Sequence, residues 1–196
     1  MGLSRTAAPM RAAGWVCSLL LLVGCQSNSP GMGTRLIANA AMIDFAGLDA
    51  TTEIADVDVR GGIPSEWEAM PAQSNALFTH RQWRSPSRAT GVGIAHIGLP
   101  WPVSAKTVIW FAKTQYGKKA EASGGRFIDE WTDALGREWF EAENEKYHVK
   151  GYAVTSGFDA WVVYVGYRRR GLPHAEEIGL ANRSLESVVP IPMADE

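Results

Sequence analysis

The chain has 196 residues, 46% of them hydrophobic, and a formal net charge of −2 from 19 Lys and Arg against 21 Asp and Glu. That length suits a single domain. The mild acidity, with no basic run longer than Arg168-Arg169-Arg170, gives no electrostatic basis for binding nucleic acid. The two cysteines allow one disulfide at most, and stability is expected to come from burial, without cofactor or metal.

Residues 1–24 read as a targeting segment. Arg5 and Arg11 make a positive start with no acidic residue before Cys25, and an apolar run from Val16 to Val23 follows. The run is too short to span a bilayer, which takes about 20 apolar residues, but fits a signal-peptide core of about 7–15. Leu22-Val23-Gly24-Cys25 resembles the lipobox of bacterial lipoproteins. The resemblance implies diacylglyceryl attachment at Cys25, cleavage before it and acylation of the new amino terminus. Gln26, rather than Asp, follows the cysteine, which by the same resemblance implies the outer membrane, periplasmic face. The alternative is an ordinary signal peptide with a coincidental cysteine. Cleavage would leave 172 residues (196 − 24) with a charge of −4, since two arginines depart. Cys17 would leave too, so the mature chain would hold neither a disulfide nor a thiol nucleophile.

Residues 25–35, rich in Ser, Gly, Asn and Pro, read as a tether, and 36–196 as one α+β domain. The Ala-rich stretch Leu36 to Leu48 has no clean stripe, and its helicity stays open. From Asp56 to Arg60 the alternation of Val57 and Val59 with Asp58 and Arg60 predicts a strand. Gly61-Gly62-Ile63-Pro64 turns the chain into Pro64-x-x-Trp67. Leu77 to Ser85 and Gly91 to Ile97 read as strands, and Gly91-x-Gly93 marks a bulge or close packing against a neighbouring helix. After Pro100-Trp101-Pro102, Ser104 is an N-cap for a helix through Gln115, with Val108, Phe111, Ala112 and Gln115 as its stripe and Gly117 as its cap. Arg126 to Thr132 and Arg137 to Glu145 form a hairpin across Asp133-Ala134-Leu135-Gly136. Tyr147 to Thr155 and Phe158 to Arg168 follow, the latter apolar enough to be central. Pro173 opens a last helix, with Glu176 and Glu177 in its first turn and Ile178, Ala181, Leu185 and Val188 as its stripe; Pro190 and Pro192 stop it.

The pattern predicts a mostly antiparallel sheet with a mid-chain helix and a C-terminal helix packed on it. Pro64-x-x-Trp67 after a first strand, Gly136-Arg137-x-x-Phe140 entering a three-strand meander, and a closing helix with Ala181-x-x-Ser184-Leu185-x-Ser187-Val188 resemble the PsbP/Mog1-like α/β/α sandwich. That resemblance covers residues 56–190 and implies a binding module with no shared catalytic set. Another helix-on-sheet layout, or a small barrel with a packed helix, fits the same string.

Four histidines, His80, His96, His148 and His174, show no metal-ligand spacing. His96, on an apolar strand, reads as a hydrogen-bonded structural histidine rather than a ligand. Glu141, Glu143 and Glu145 alternate on one strand face, with Asp129, Glu130 and Asp133 nearby; a solvated face outweighs a cation site. No nucleophile elbow or phosphate loop is present. Of the eight tryptophans, seven would remain after cleavage, and most, including Trp110 and Trp161, are expected in the core. Trp101 differs, because flanking prolines keep it out of a strand. It is either a rigid docking anchor or a lid folded back on the core. The expected role is a non-enzymatic domain, anchored to the membrane by lipid, that binds an envelope protein partner or ligand. A small hydrolase assembled from scattered residues, or a purely structural envelope component, are the alternatives.

Overall fold

The computed structural model describes Leu48 and residues 52–120, 125–170 and 175–191. The expected signal segment 1–24, Cys25, the expected tether 25–35, the stretch before Leu48, Pro173, His174 and Pro192 lie outside the described residues. The elements are β1 (Thr52–Ile54), a 3-10 turn (Ala55–Val57), β2 (Val59–Gly61), β3 (Glu68–Ala69), β4 (Gln73–Asn75), β5 (Phe78–Arg84), β6 (Thr90–Gly98), α1 (Ala105–Ala120), β7 (Arg126–Thr132), β8 (Glu138–Glu143), β9 (Tyr147–Ser156), β10 (Asp159–Arg168), α2 (Ala175–Ser187) and β11 (Val189–Pro190). The fold is α+β, a mostly antiparallel sheet with two helices.

The large sheet runs β3-β5-β6-β10-β9-β8-β7, with β4 also paired to β5, so β10 is central as its apolar run requires. Both faces of β10 are covered. On one face, Phe78, Phe140, Tyr147 and Tyr164 pack with Ala105, Val108, Ile109 and Ala112 of α1. On the other, Trp83, Trp139, Tyr152 and Trp161 pack with Ala181 and Leu185 of α2 and with the small β1-β2-β11 sheet.

Several sequence expectations change in detail. Asp56 to Arg60 is not one strand: the 3-10 turn ends at Asp58, held at φ 50°, and only then does β2 begin. Val57 and Val59 are nonetheless both fully buried, which is what the alternation recorded. Helix α1 does begin at Ser104, whose Oγ accepts the Thr107 N–H at 3.2 Å. It continues through Gly117, because Lys118, Lys119 and Ala120 sustain a helix and an internal glycine costs only about 1 kcal/mol. Its buried stripe is Ala105, Val108, Ile109 and Ala112, whereas Phe111 is exposed. The sheet already supplies large rings at this contact, so the helix presents its small side chains. Ala181 and Leu185 of α2, and Val188 just past its end, are buried as expected, joined by Glu177 rather than Ile178. Pro190 does not merely end the helix but sits in β11, opposite Val59 at the small sheet's edge. At Gly93 no bulge occurs; a side chain there would overlap the Tyr164 ring of β10, so close packing comes from a strand, not a helix.

The register gives the sheet two distinct ends. Phe78, Gly98, Thr132, Glu138, Ser156 and Asp159 lie at one, and Arg84, Thr90, Arg126, Glu143, Tyr147 and Arg168 at the other.

Candidate functional site

At the first of these ends, described turns carry large apolar side chains into solvent. Leu77 precedes β5 (47% exposed), Trp101 follows β6 (59%), Leu135 tips the β7–β8 turn (73%) and Phe158 the β9–β10 turn (59%). The backbone explains the clustering. The Gly98 N–H donates to the Leu77 carbonyl at 2.9 Å, and the Leu99 N–H donates to the Phe158 carbonyl at 2.6 Å, tying three turns together. Gly136 (φ 74°) and Gly157 (φ 56°) make the two hairpin turns in the left-handed region that glycine adopts without strain. Each glycine stands beside an apolar residue that the turn then projects outward.

Helix α1 leaves from this same end and extends the surface. Trp110 is 57% exposed, which corrects its expected place in the core, and Phe111 meets it edge-on at 5.2 Å. Trp101 does not fold back as a lid. Its neighbours Leu99 and Val103 pack on the core beneath α1 while the indole stays outside.

The polar groups raised by the sequence are engaged internally. His80 is buried, 2.8 Å from the Tyr164 hydroxyl through Nε2, and burial pushes its pKa down to about 4. His96 stacks on Trp161 at 5.0 Å, with Nε2 2.9 Å from Asp159 and Nδ1 3.5 Å from Asp58. Its carboxylates lie on opposite ring nitrogens, so one ion cannot bridge them. For His148, burial outweighs the field of Glu141 and Glu143 and lowers its pKa. The expected acidic row is short, since Glu145 falls in the β8–β9 turn. Glu143 is paired with Arg126 at 2.7 Å and Arg169 at 3.3 Å, Glu141 lies 3.7 Å from His148, and Glu130 pairs with Lys113.

Asp133 is not part of an acidic patch but closes its hairpin from within. Its Oδ1 accepts the N–H groups of Leu135 and Arg137, and its Oδ2 accepts Arg137 Nε at 2.6 Å and Trp139 Nε1 at 2.8 Å. Burial alone would raise its pKa, but the bonds from Trp139 and Arg137 prevail and hold it below the usual value. Arg137 in turn lies 5.0 Å over Trp139 and 4.9 Å over Tyr152. Sequence spacing could not find the His80–Tyr164 pair, whose members stand 84 residues apart. Among the described residues, no group of three or more His, Cys, Asp or Glu is placed to hold a metal ion, and no helix is long and apolar enough to cross a membrane.

No family model and no curated protein matches the chain. Among solved structures it is similar to the cyanobacterial PsbP (CyanoP) of Synechocystis sp. PCC 6803, with 10% identity and a TM-score of 0.52 over 79% of this chain and 98% of that one. A Bacteroides thetaiotaomicron VPI-5482 protein also aligns, at 10% identity and a TM-score of 0.32 over 68% of this chain and 45% of that one. The first likeness shows the fold to be PsbP-like.

Proposed function

We propose that the chain is a lipoprotein, anchored through Cys25 at the periplasmic face of the outer membrane, whose domain is a non-catalytic binding module. The observation that carries the binding role is the exposed aromatic surface of Trp101, Trp110, Phe111 and Phe158, gathered at one sheet end and the adjoining helix. Large apolar side chains exposed together at one end of a domain mark interaction sites. Anchoring rests on Leu22-Val23-Gly24-Cys25 and the charge and length of the segment before it.

Two features support the non-catalytic reading. The described histidines are committed to Tyr164, to Asp58 and Asp159, and to a site beside Glu141, rather than to a nucleophile. The PsbP-like fold adds support by analogy only, because fold does not dictate chemistry.

The test is affinity capture of the native lipoprotein with its envelope neighbours, together with mass spectrometry of the mature N-terminal peptide. Cleavage before Cys25 with an acyl-glyceryl mass is expected, as is weaker association in Trp101→Ala, read both as captured envelope protein and as binding of the Cys25→Ser chain to lipid vesicles. A free thiol at Cys25 removes the anchoring half. Protein capture and vesicle binding both unchanged by Trp101→Ala and Trp110→Ala remove the docking half.

A further inference from the structure

We infer that the surface around Trp101 docks on a bilayer: the apolar end of the sheet and the outer face of α1 rest in the headgroup interface of the membrane that holds the chain's own lipid. This inference rests on the lipoprotein reading above and names the partner of that surface.

The residue types fit a lipid surface. Trp101 and Trp110 carry an apolar ring body with one polar N–H, the side chain that concentrates at the headgroup level of membranes. Leu77, Leu135 and Phe158 add apolar tips from separate turns. These side chains stand on turn tips and on the outside of a helix rather than lining a groove. A fluid interface accommodates such projections without a complementary shape, whereas a protein partner would have to match each one.

Charge points the same way. The sequence of α1, AKTVIWFAKTQYGKKA, holds lysines and no acidic residue, and Lys106 is exposed in its first turn. A basic helix with aromatic residues on its outer face suits anionic headgroups. The nearby carboxylates have basic or histidine neighbours: Glu130 pairs with Lys113 of α1, Asp58 and Asp159 lie beside His96, Asp56 beside Arg81 at 3.4 Å, and Asp133 beside Arg137, which leaves Lys106 beside Trp110 for the headgroups.

The tether allows the pose. The chain enters the domain where Leu48 bridges Pro64. Between Cys25 and Leu48 lie 23 steps of chain (48 − 25), a contour of at most about 80 Å. The ten-residue strands β9 and β10 span about 33 Å, so the lipid reaches the same bilayer on which the apolar end sits.

The test uses the full protein reconstituted in vesicles of phosphatidylethanolamine and phosphatidylglycerol, with and without bromine on the upper acyl chain. Tryptophan emission should fall in the brominated vesicles, and Trp101→Phe/Trp110→Phe should abolish most of that fall while leaving the melt unchanged. Equal emission in both lipids, or a fall that survives the double variant, overturns the inference. The mass of the N-terminal peptide is read on the same sample, so a missing acyl group counts against anchoring independently of the quenching result. Trp101→Asp/Trp110→Asp covers the other occupants. Loss of a dimer or of a protein cross-link in that variant, with no bromine quenching in the parent, overturns the inference in favour of a protein–protein surface.

Discussion

The two ends of the large sheet are made by the same strands and differ in what their turns display. At the end bearing Arg84 and Tyr147, polar atoms do the closing. The Glu177 carboxylate, buried on α2, accepts the Ser87 hydroxyl at 2.5 Å and its N–H at 3.2 Å, Ser85 Oγ accepts the Thr90 N–H, and Asn144 Oδ1 accepts from Lys146 and Tyr147. At the end bearing Gly98 and Phe158, Asn75 Oδ1 accepts the Leu77 N–H and the half-buried Asp133 holds the β7–β8 turn, backbone bonds tie the remaining turns, and Leu77, Trp101, Leu135 and Phe158 project from them into solvent. The contrast separates residues that hold the fold from residues that the fold displays. Rings exposed by half contribute less to stability than buried ones, and their display at one end is the feature the proposed docking uses.

The largest expected effect lies in the scaffold between the ends. Leu185, 1% exposed against β6 and β10, should lose about 2–5 kcal/mol on substitution by Ala in urea unfolding, as buried leucines do. A loss under about 0.5 kcal/mol, the range of surface sites, would mean that α2 is not seated on the sheet.

A pH series sharpens the same division, because the buried His80 belongs to the scaffold. Its folded pKa of about 4 lies below the ordinary 6.5, so the unfolded chain takes up the proton first as pH falls. Stability should therefore be unaffected by this group above pH 6.5 and lost progressively from there to pH 4. The full loss is about 3 kcal/mol. His80→Gln should flatten that part of the profile. An unchanged slope in the variant would place the acid sensitivity elsewhere, His148 being the next group with the same sign.

Glu177→Ala tests the polar end itself. It removes a buried acceptor of two hydrogen bonds from Ser87, and a destabilisation of about 1.5–3 kcal/mol is expected in denaturant melts. At the apolar end, Trp101→Ala and Phe158→Ala should each shift stability by less than about 0.5 kcal/mol. Equal losses from Glu177→Ala and Trp101→Ala would abolish the distinction between the two ends.

The sequence made the long elements legible and the short ones not. Strands β5, β6, β7, β9 and β10 carry seven or more residues of alternating or continuous apolar pattern, and the stripe of α2 repeats over three turns. Strands β1, β3, β4 and β11 hold two or three residues each, so their pairing is set by the neighbouring backbone rather than by their own side chains. The run Val108-Ile109-Trp110-Phe111-Ala112 announces a helix but not its facing, which depends on the rings already present on the sheet. The oddity of Trp101 was readable from its two prolines. Its companions Leu135 and Phe158 each sit beside a turn glycine, a signal that was present in the sequence but is weak until the register puts both turns at one end.

Hydroxyl-radical footprinting of the protein on native envelope membranes, compared with the same chain in solution carrying Ser in place of Cys25 and no signal segment, tests the central claim most directly. The account predicts protection of Trp101, Trp110, Phe111 and Phe158 on the membrane, with Ile128, also exposed but two residues from the Arg126 end of β7, reacting equally in both states. Equal reactivity of Trp101 and Trp110 in the two states, or protection spread evenly to Ile128, would contradict it.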